Sequence, residues 1–396
     1  MTISTMTADK VAGKTVLVRA DLNVPMREGI ITNDARLRAI MPSLDLLGQA
    51  GAKTILISHL GRPKGKPDPT LSLAPVARGL QEVMGRPVGF CAHTTGAAAA
   101  RAIAALSAGD VLVLENLRFA PGEEANDSAF AQALADLGEI YVNDGFSVSH
   151  RAHASTHELA RRLPAFAGLA LARELAMLAR VLEKPDRPLM ALVGGAKVST
   201  KLGVLHHLLS QVDVLAIGGA MANTFLLAQD LPIGASLAEH EMTNQARTIL
   251  DQAAAQNRPV LLPIDVVVAS ELKPALATAI KPVHEVASKD MILDLGPATV
   301  AAWTREIDKM RTLVWNGPVG AFEVPPFDRA SVDLAHTIAA RVRGGSLACI
   351  GGGGDTLACL AKADVIEDMT YVSTAGGAFL EWLEGRELPG VAVLSS

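Results

Sequence analysis

Residues 15–23 read Thr-Val-Leu-Val-Arg-Ala-Asp-Leu-Asn, an apolar run too short for a helix, closed by charged and amide side chains. The same arrangement recurs three times. Thr54-Ile55-Leu56-Ile57 runs into Ser58-His59-Leu60-Gly61-Arg62, Val111-Leu112-Val113-Leu114 into Glu115-Asn116-Leu117-Arg118, and Ile140-Tyr141-Val142 precedes Ser149-His150-Arg151. Continuous apolar runs of this length fit strands buried on both faces of a parallel sheet. Ligands of open α/β folds bind outside the carboxyl ends of such strands, so these polar segments converge on one crevice. A single arginine at a strand end is ordinary surface chemistry. Several together, in a chain of net charge −5, predict a site for a small, highly charged anion, because the guanidinium fork matches carboxylate and phosphate.

Outside these runs, Ala/Leu-rich helical stretches alternate with strands, as at Ile40 to Ala50, Asn126 to Leu137, Met242 to Gln256 and Ser331 to Arg343. That alternation marks repeated βαβ units. A length of 396 residues exceeds what one core usually organises. The boundary falls in the amphipathic stretch Ala167 to Leu182, which Pro185 and Pro188 halt before a strand at Leu189 to Val193. The predicted fold is therefore α/β, with two doubly wound, Rossmann-like parallel-sheet domains, residues 1–172 and 173–385, joined by a hinge helix.

Composition narrows the partners. Mild acidity and 4% aromatic content argue against nucleic acid, since neither a basic surface nor stacking platforms are supplied. No apolar stretch is long enough to span a membrane, and the first residues lack a secretory pattern. Cys91, Cys349 and Cys359 have no metal-ligand spacing and fit a reducing cytoplasm. A cytoplasmic protein acting on small metabolites is expected.

In the second half the strand ends carry glycine. They read Gly194-Gly195-Ala196-Lys197-Val198-Ser199-Thr200-Lys201, Gly218-Gly219-Ala220, Asn316-Gly317-Pro318-Val319-Gly320, Gly351-Gly352-Gly353-Gly354-Asp355-Thr356 and Ser373-Thr374-Ala375-Gly376-Gly377. Glycine lets backbone N–H groups approach phosphate oxygens, and a helix starting near Asp355 adds its positive end. Lys197 and Lys201, four apart, would share a face if a helix begins there. Asp355 is either a carboxylate for Mg²⁺ or a helix N-cap. The run Gly61-Arg62-Pro63-Lys64-Gly65-Lys66 is one residue short of a P-loop and continues into Pro67. No dinucleotide fingerprint or protein-kinase catalytic loop is present either.

Taken in order from about Lys10 to Leu394, these motifs resemble the phosphoglycerate kinase family. The segments that carry the likeness are Arg19 to Pro25, Ser58 to Pro63, Glu115 to Phe119, His150 to His153, Gly194 to Val198, Trp315 to Gly320 and Gly352 to Thr356. The resemblance implies an enzyme of class EC 2.7.2.3, moving a phosphoryl group between 1,3-bisphosphoglycerate and Mg-ADP to give 3-phosphoglycerate and Mg-ATP. It also implies a monomer, with residues 386–396 returning to the N-terminal domain. Asp21, Asn23, Arg36, His59, Leu60, Gly61, Arg62, Arg118 and Arg151 match the acid-binding positions. Lys197, Lys201, Gly219, Asn316, Glu323, Gly353, Gly354, Asp355 and Thr356 match the nucleotide positions, with Glu323 at the ribose and Asp355 at the metal.

Joining an acyl phosphate to ADP brings together oxyanions that need not lose a proton, so no general base is required. The need is for charge stabilisation and exclusion of water, and the resemblance points to Arg36, Lys197, Gly354 and Gly376. The chain departs from the family pattern at Ala375, which would be strained if that position required φ > 0. A kinase for another small carboxylate is the alternative enzyme, and a nucleotide-binding module without catalysis the alternative outside enzymes.

Overall fold

The computed structural model describes residues 3–395, the side chain of Leu182 excepted. The chain divides into two compact units, Met1–Ala176 with Glu387–Ser396, and Met177–Arg386. The division falls inside the helix Leu169–Leu182. Among the described residues no helix is long and apolar enough to cross a membrane.

The N-terminal unit is built on six parallel strands in the order Gly89–Cys91, Val111–Leu114, Lys53–Ile57, Thr15–Arg19, Ile140–Asn143, Ala165–Ala167. The apolar runs of the sequence are its central strands. Val16, Leu17 and Val18 are fully buried, which is why no polar alternation interrupts them. Chain order turns around at Thr15–Arg19, where one neighbour is Lys53–Ile57 and the other Ile140–Asn143, with Arg19 level with Ile57 and Asn143. That turning point opens a crevice at the carboxyl ends. Val16, Val18, Leu56, Val113 and Val142 form one core with Leu44, Leu47 and Leu80 from the flanking helices. Asp144, just past its strand, accepts hydrogen bonds from Ala170 N (2.9 Å) and Leu171 N (3.1 Å), satisfying orphan donors at the start of Leu169–Leu182. The final residues group here too, Gly390 N donating to Ser149 O at 2.8 Å and Asn143 Nδ2 to Gly390 O at 2.9 Å.

The C-terminal unit carries a second parallel sheet, ordered Val260–Leu261, Val214–Ile217, Leu189–Val193, Thr312–Asn316, Ala348–Gly352, Tyr371–Ser373. In chain order this is 3-2-1-4-5-6, the dinucleotide-fold order whose switch point lies between the first and fourth strands. Here those strands are Leu189–Val193 and Thr312–Asn316, and they end in Gly194 and Gly317. Trp303, Trp315, Leu313, Leu334 and Ile338 fill the core behind them.

Two features escape the apolar-run reading. The stretch Val260 to Ile264 is a strand only at Val260–Leu261, and the chain then enters a separate antiparallel sheet of Ala279–Pro282, Asp265–Ala269 and Met291–Leu295. Gly89–Cys91 and Ala165–Ala167 are short outer strands whose sequences lack a continuous β-branched run.

Candidate active site

In the N-terminal unit the loops after four neighbouring strands meet. Asn23 Oδ1 accepts from Gly61 N at 2.9 Å, and Arg118 Nη1 donates to Gly61 O at 2.7 Å. Gly61 is thus held from both sides. It sits at φ +60°, and a Cβ there would lie 2.7 Å from Leu71 Cδ2, so any other residue would be strained and would push Leu71 aside. Leu60 is buried and accepts from Asn116 Nδ2 at 2.7 Å through its carbonyl. Arg36 Nη1 lies 3.0 and 2.9 Å from the two carboxylate oxygens of Asp21 and donates to Asn23 O at 2.8 Å. Ser147 Oγ donates to the same carboxylate. Asp21 and Asn23 therefore orient Arg36 and the glycine loop.

The crevice is strongly electropositive, and its histidines respond. Burial first, and then the charges of Arg19, Arg118, Arg36 and Arg151, hold His59 well below the ordinary imidazole range. His150 and His153 are brought down to about 4, by burial and then by nearby arginines. Three neutral imidazoles thus stand among cations at neutral pH. Arg118 is 4% exposed and has its pKa lowered by burial. Its Nε lies 3.3 Å from Glu124 Oε1 without hydrogen-bond alignment. Arg151 Nε donates to His150 Nε2 at 3.1 Å, and Arg62 stands exposed at the rim.

Beneath lies a layer that the sequence placed only in part, grouping Arg19 with the strand-end arginines of the crevice and leaving Glu123 unmarked. Arg19 is fully buried, with Nη2 3.2 Å from His59 Nδ1 and Nε donating to Ser155 Oγ at 2.8 Å. Ser155 in turn donates to the buried Glu123 at 2.6 Å. Nothing in Gly122-Glu123-Glu124 separates a buried carboxylate from a solvated one.

In the C-terminal unit Lys201 bridges the switch point. Its Nζ donates to Gly194 O at 2.6 Å and to Asn316 O at 2.8 Å, joining the loops after the first and fourth strands. Burial lowers its pKa to about 8, against the opposing pull of Asp355. Gly317, at φ +99°, passes so close that a Cβ would lie 2.7 Å from this ammonium and 2.4 Å from Gly194 O. Asn316 Nδ2 donates to Gly352 O at 2.8 Å, while its Oδ1 is buried without a partner. Gly353 (φ +100°) opens the helix Gly354–Lys362, and Gly376 opens Gly376–Leu383. A methyl on Gly376 would lie 3.8 Å from Gly353 Cα and Gly354 N, so two helix N-termini adjoin.

Beside these loops a cavity of about 380 Å³ is lined by Gly195, Gly219, Glu323 and Asp355 together with apolar walls including Leu293 and Val319. Lys197 is exposed on the loop between Gly195 and Lys201. Apolar walls with a few polar groups at one end suit a planar base attached to a charged tail. Asp355 fits a magnesium ion that keeps most of its ligands from water and phosphate, since it is one exposed carboxylate next to a phosphate-sized loop. Among the described residues no group of three His, Cys, Asp or Glu could hold a metal by itself.

Several expectations are corrected. The helix after the lysine loop begins at Leu202, so Lys197 and Lys201 do not share a helical face, and Lys201 instead folds back onto its own loop. Asp355 is not an N-cap: Gly353 holds that position and no side-chain cap is formed. The expectation for Thr356 as a nucleotide position is not among these: its hydroxyl accepts from Gly317 N at 2.7 Å and donates to Gly352 O at 2.8 Å, and the residue lies in the first turn of Gly354–Lys362. Ala375 lies at φ −94°, ψ 59°, so the positive φ that would strain an alanine there does not arise.

Comparison with known proteins agrees with this geometry. A family profile described as phosphoglycerate kinase matches residues 6–386. A phosphoglycerate kinase of Rhizorhabdus wittichii is 55% identical over 386 residues, spanning 98% of this chain and 97% of that relative. The solved phosphoglycerate kinase of Coxiella burnetii superposes with a TM-score of 0.90 at 42% identity, covering 97% of this chain and 96% of that one. That of Pyrococcus horikoshii gives 0.80 at 28% identity over the same shares. The chain belongs to the phosphoglycerate kinase family, and it catalyses reversible phosphoryl transfer from 1,3-bisphosphoglycerate to ADP with Mg²⁺, giving 3-phosphoglycerate and ATP.

Proposed function

We propose that the two substrates are divided between the two units, the acid on the arginine crevice and the nucleotide on the glycine loops. The observation that carries this reading is the contrast between the two strand-end sets. One presents Arg36, Arg62, Arg118, Arg151 and a neutral His59. The other presents backbone amides, Lys201 and an apolar cavity of about 380 Å³.

In the acid site, Arg118 and Arg151 with the rim Arg62 hold the phosphate and carboxylate, and the amides after His59 align them. Arg36, pre-oriented by Asp21, keeps its remaining N–H groups for the transferring group, where charge accumulates in the transition state. In the nucleotide site the cavity takes the base, Glu323 the ribose, and Lys201 with the amides near Gly353 and Gly354 the phosphates. The unpartnered Asn316 Oδ1 is a ready acceptor beside them. Lys197 and the Gly376 helix start face developing charge. Asp355 would hold the magnesium ion, which when bound neutralises phosphate charge.

No residue has to remove a proton. A carboxylate or a terminal phosphate oxygen is already an anion at neutral pH, and the neutral histidines serve as donors rather than bases. Transfer needs the reacting atoms about 3–3.5 Å apart with water excluded, and Leu169–Leu182 is the proposed hinge. The three cysteines are buried and free, in keeping with a cytoplasmic enzyme; a monomer is typical of the family.

Hydrogen–deuterium exchange tests the division. 3-Phosphoglycerate alone should protect amides around residues 58–62 and 118–123, and Mg-ADP alone those around 351–357. Protection by either ligand in the other's segments contradicts it.

A further inference from the structure

We propose that Arg19 is a positioning residue that fixes His59 as the Nε2–H tautomer, making it an obligate hydrogen-bond donor to the acid substrate. The inference rests on the assignment of the acid to this crevice only in its last clause.

A guanidinium has five N–H donors and no acceptor and does not lose its proton in proteins. Arg19 Nη2 lies 3.2 Å from His59 Nδ1, so Nδ1 must be the bare, accepting nitrogen. Its proton then sits on Nε2. Arg19 cannot turn away to release this constraint. It is fully buried in the central strand Thr15–Arg19, its Nε donates to Ser155 Oγ at 2.8 Å and its Nη1 to Ala20 O at 2.7 Å. Behind it, Ser155 N and Oγ both donate to Glu123, at 3.1 and 2.6 Å. A serine oxygen that accepts from Arg19 has its own proton to give, and the Glu123 carboxylate receives it. The hydrogen bonds therefore run outward from Arg19 in two directions, to Glu123 through Ser155 and to His59 directly.

Burial and the charges that weigh most on His59 act the same way. Arg19, Arg118, Arg36 and Arg151 oppose an imidazolium, and burial opposes it further. The ring is held neutral as well as oriented. A neutral donor with a fixed tautomer can bind an anion without itself titrating over physiological pH, whereas a free histidine would gain and lose charge there. Arg19 thus contributes at one remove from the substrate, through the proton it denies to Nδ1.

The direct test is long-range ¹H–¹⁵N correlation spectroscopy of the ¹⁵N-labelled full chain, with His59 assigned by its loss in His59→Gln. The expected spectrum has a bare Nδ1 and a protonated Nε2, unchanged between about pH 6 and pH 8. A protonated Nδ1, or an imidazolium at neutral pH, overturns the proposal, and this reading needs no altered Arg19. Among variants, Arg19→Lys keeps a donor-only group and should keep the tautomer. Arg19→Gln offers an acceptor, so it should mix the tautomers and weaken 3-phosphoglycerate binding about tenfold, the size of one hydrogen bond. A folded Arg19→Gln with an unchanged tautomer also overturns it. Adding 3-phosphoglycerate to the unmodified protein separates the tautomer from the acid-site assignment. A shifted Nε2–H signal supports both, and an unmoved one beside the expected tautomer counts against the acid-site assignment alone.

Discussion

Lys201 Nζ donates to Asn316 O across 2.8 Å, tying the first and fourth strands of the C-terminal sheet at its switch point. Because burial lowers the pKa of this ammonium to about 8, its charge is present below that pH and lost as pH rises through it. A phosphate favours the charged form. Affinity for Mg-ADP should therefore fall as pH rises above about 8, with proton uptake on binding near that pH. Calorimetry in buffers of differing ionisation enthalpy measures this, and Lys201→Arg should flatten the dependence.

Arg36 is held by Asp21 and Asn23 O through one nitrogen, which leaves the rest of the fork available. Arg36→Ala should lower kcat by an amount equivalent to about 3 kcal/mol while leaving Mg-ADP affinity unchanged. Steady-state kinetics and nucleotide titration on the same preparation check it. Near-normal turnover removes Arg36 from the mechanism.

Gly317 occupies φ +99° with Gly194 O and Lys201 Nζ in the way of any Cβ. Gly317→Ala should cost about 1–3 kcal/mol of stability from backbone conformation alone, with more from the displaced Lys201. Urea unfolding reads the first effect and Mg-ADP affinity the second. An alanine variant that binds nucleotide normally would place the loop elsewhere.

His150 and His153 have native pKa values of about 4, against 6.5 when exposed. Depressed native values mean that the unfolded chain binds more protons, so their contribution is complete above pH 6.5 and is lost progressively as pH falls toward 4. Unfolding midpoints in urea should decline across that window. Replacing both by asparagine should make the decline shallower.

Much of this was legible in the sequence because the strands are buried on both faces. Residues 16–18, Val111–Leu114 and Leu189–Val193 are unbroken apolar runs, and the motif residues follow each directly. The antiparallel sheet was not legible, since Leu262 and Ile264 prolong the apolar run of Val260 and Leu261 while the chain changes sheets. The lysine loop was misread for a related reason. A spacing of four suggests a helix face, but Gly194 and Gly195 let the chain fold so that Lys201 bonds to its own loop. The burial of Arg19 and Glu123 was not legible because burial of a charge depends on partners distant in sequence, here Ser155, 136 residues from Arg19.

The central claim, that acid and nucleotide are bound by different units, is tested most directly by crossed calorimetric titrations of Arg118→Ala and Lys201→Ala with each ligand. Arg118→Ala should weaken 3-phosphoglycerate at least tenfold and leave Mg-ADP within a factor of about two, and Lys201→Ala should do the reverse. Equal losses of both ligands in either folded variant would contradict the division of substrates between the units.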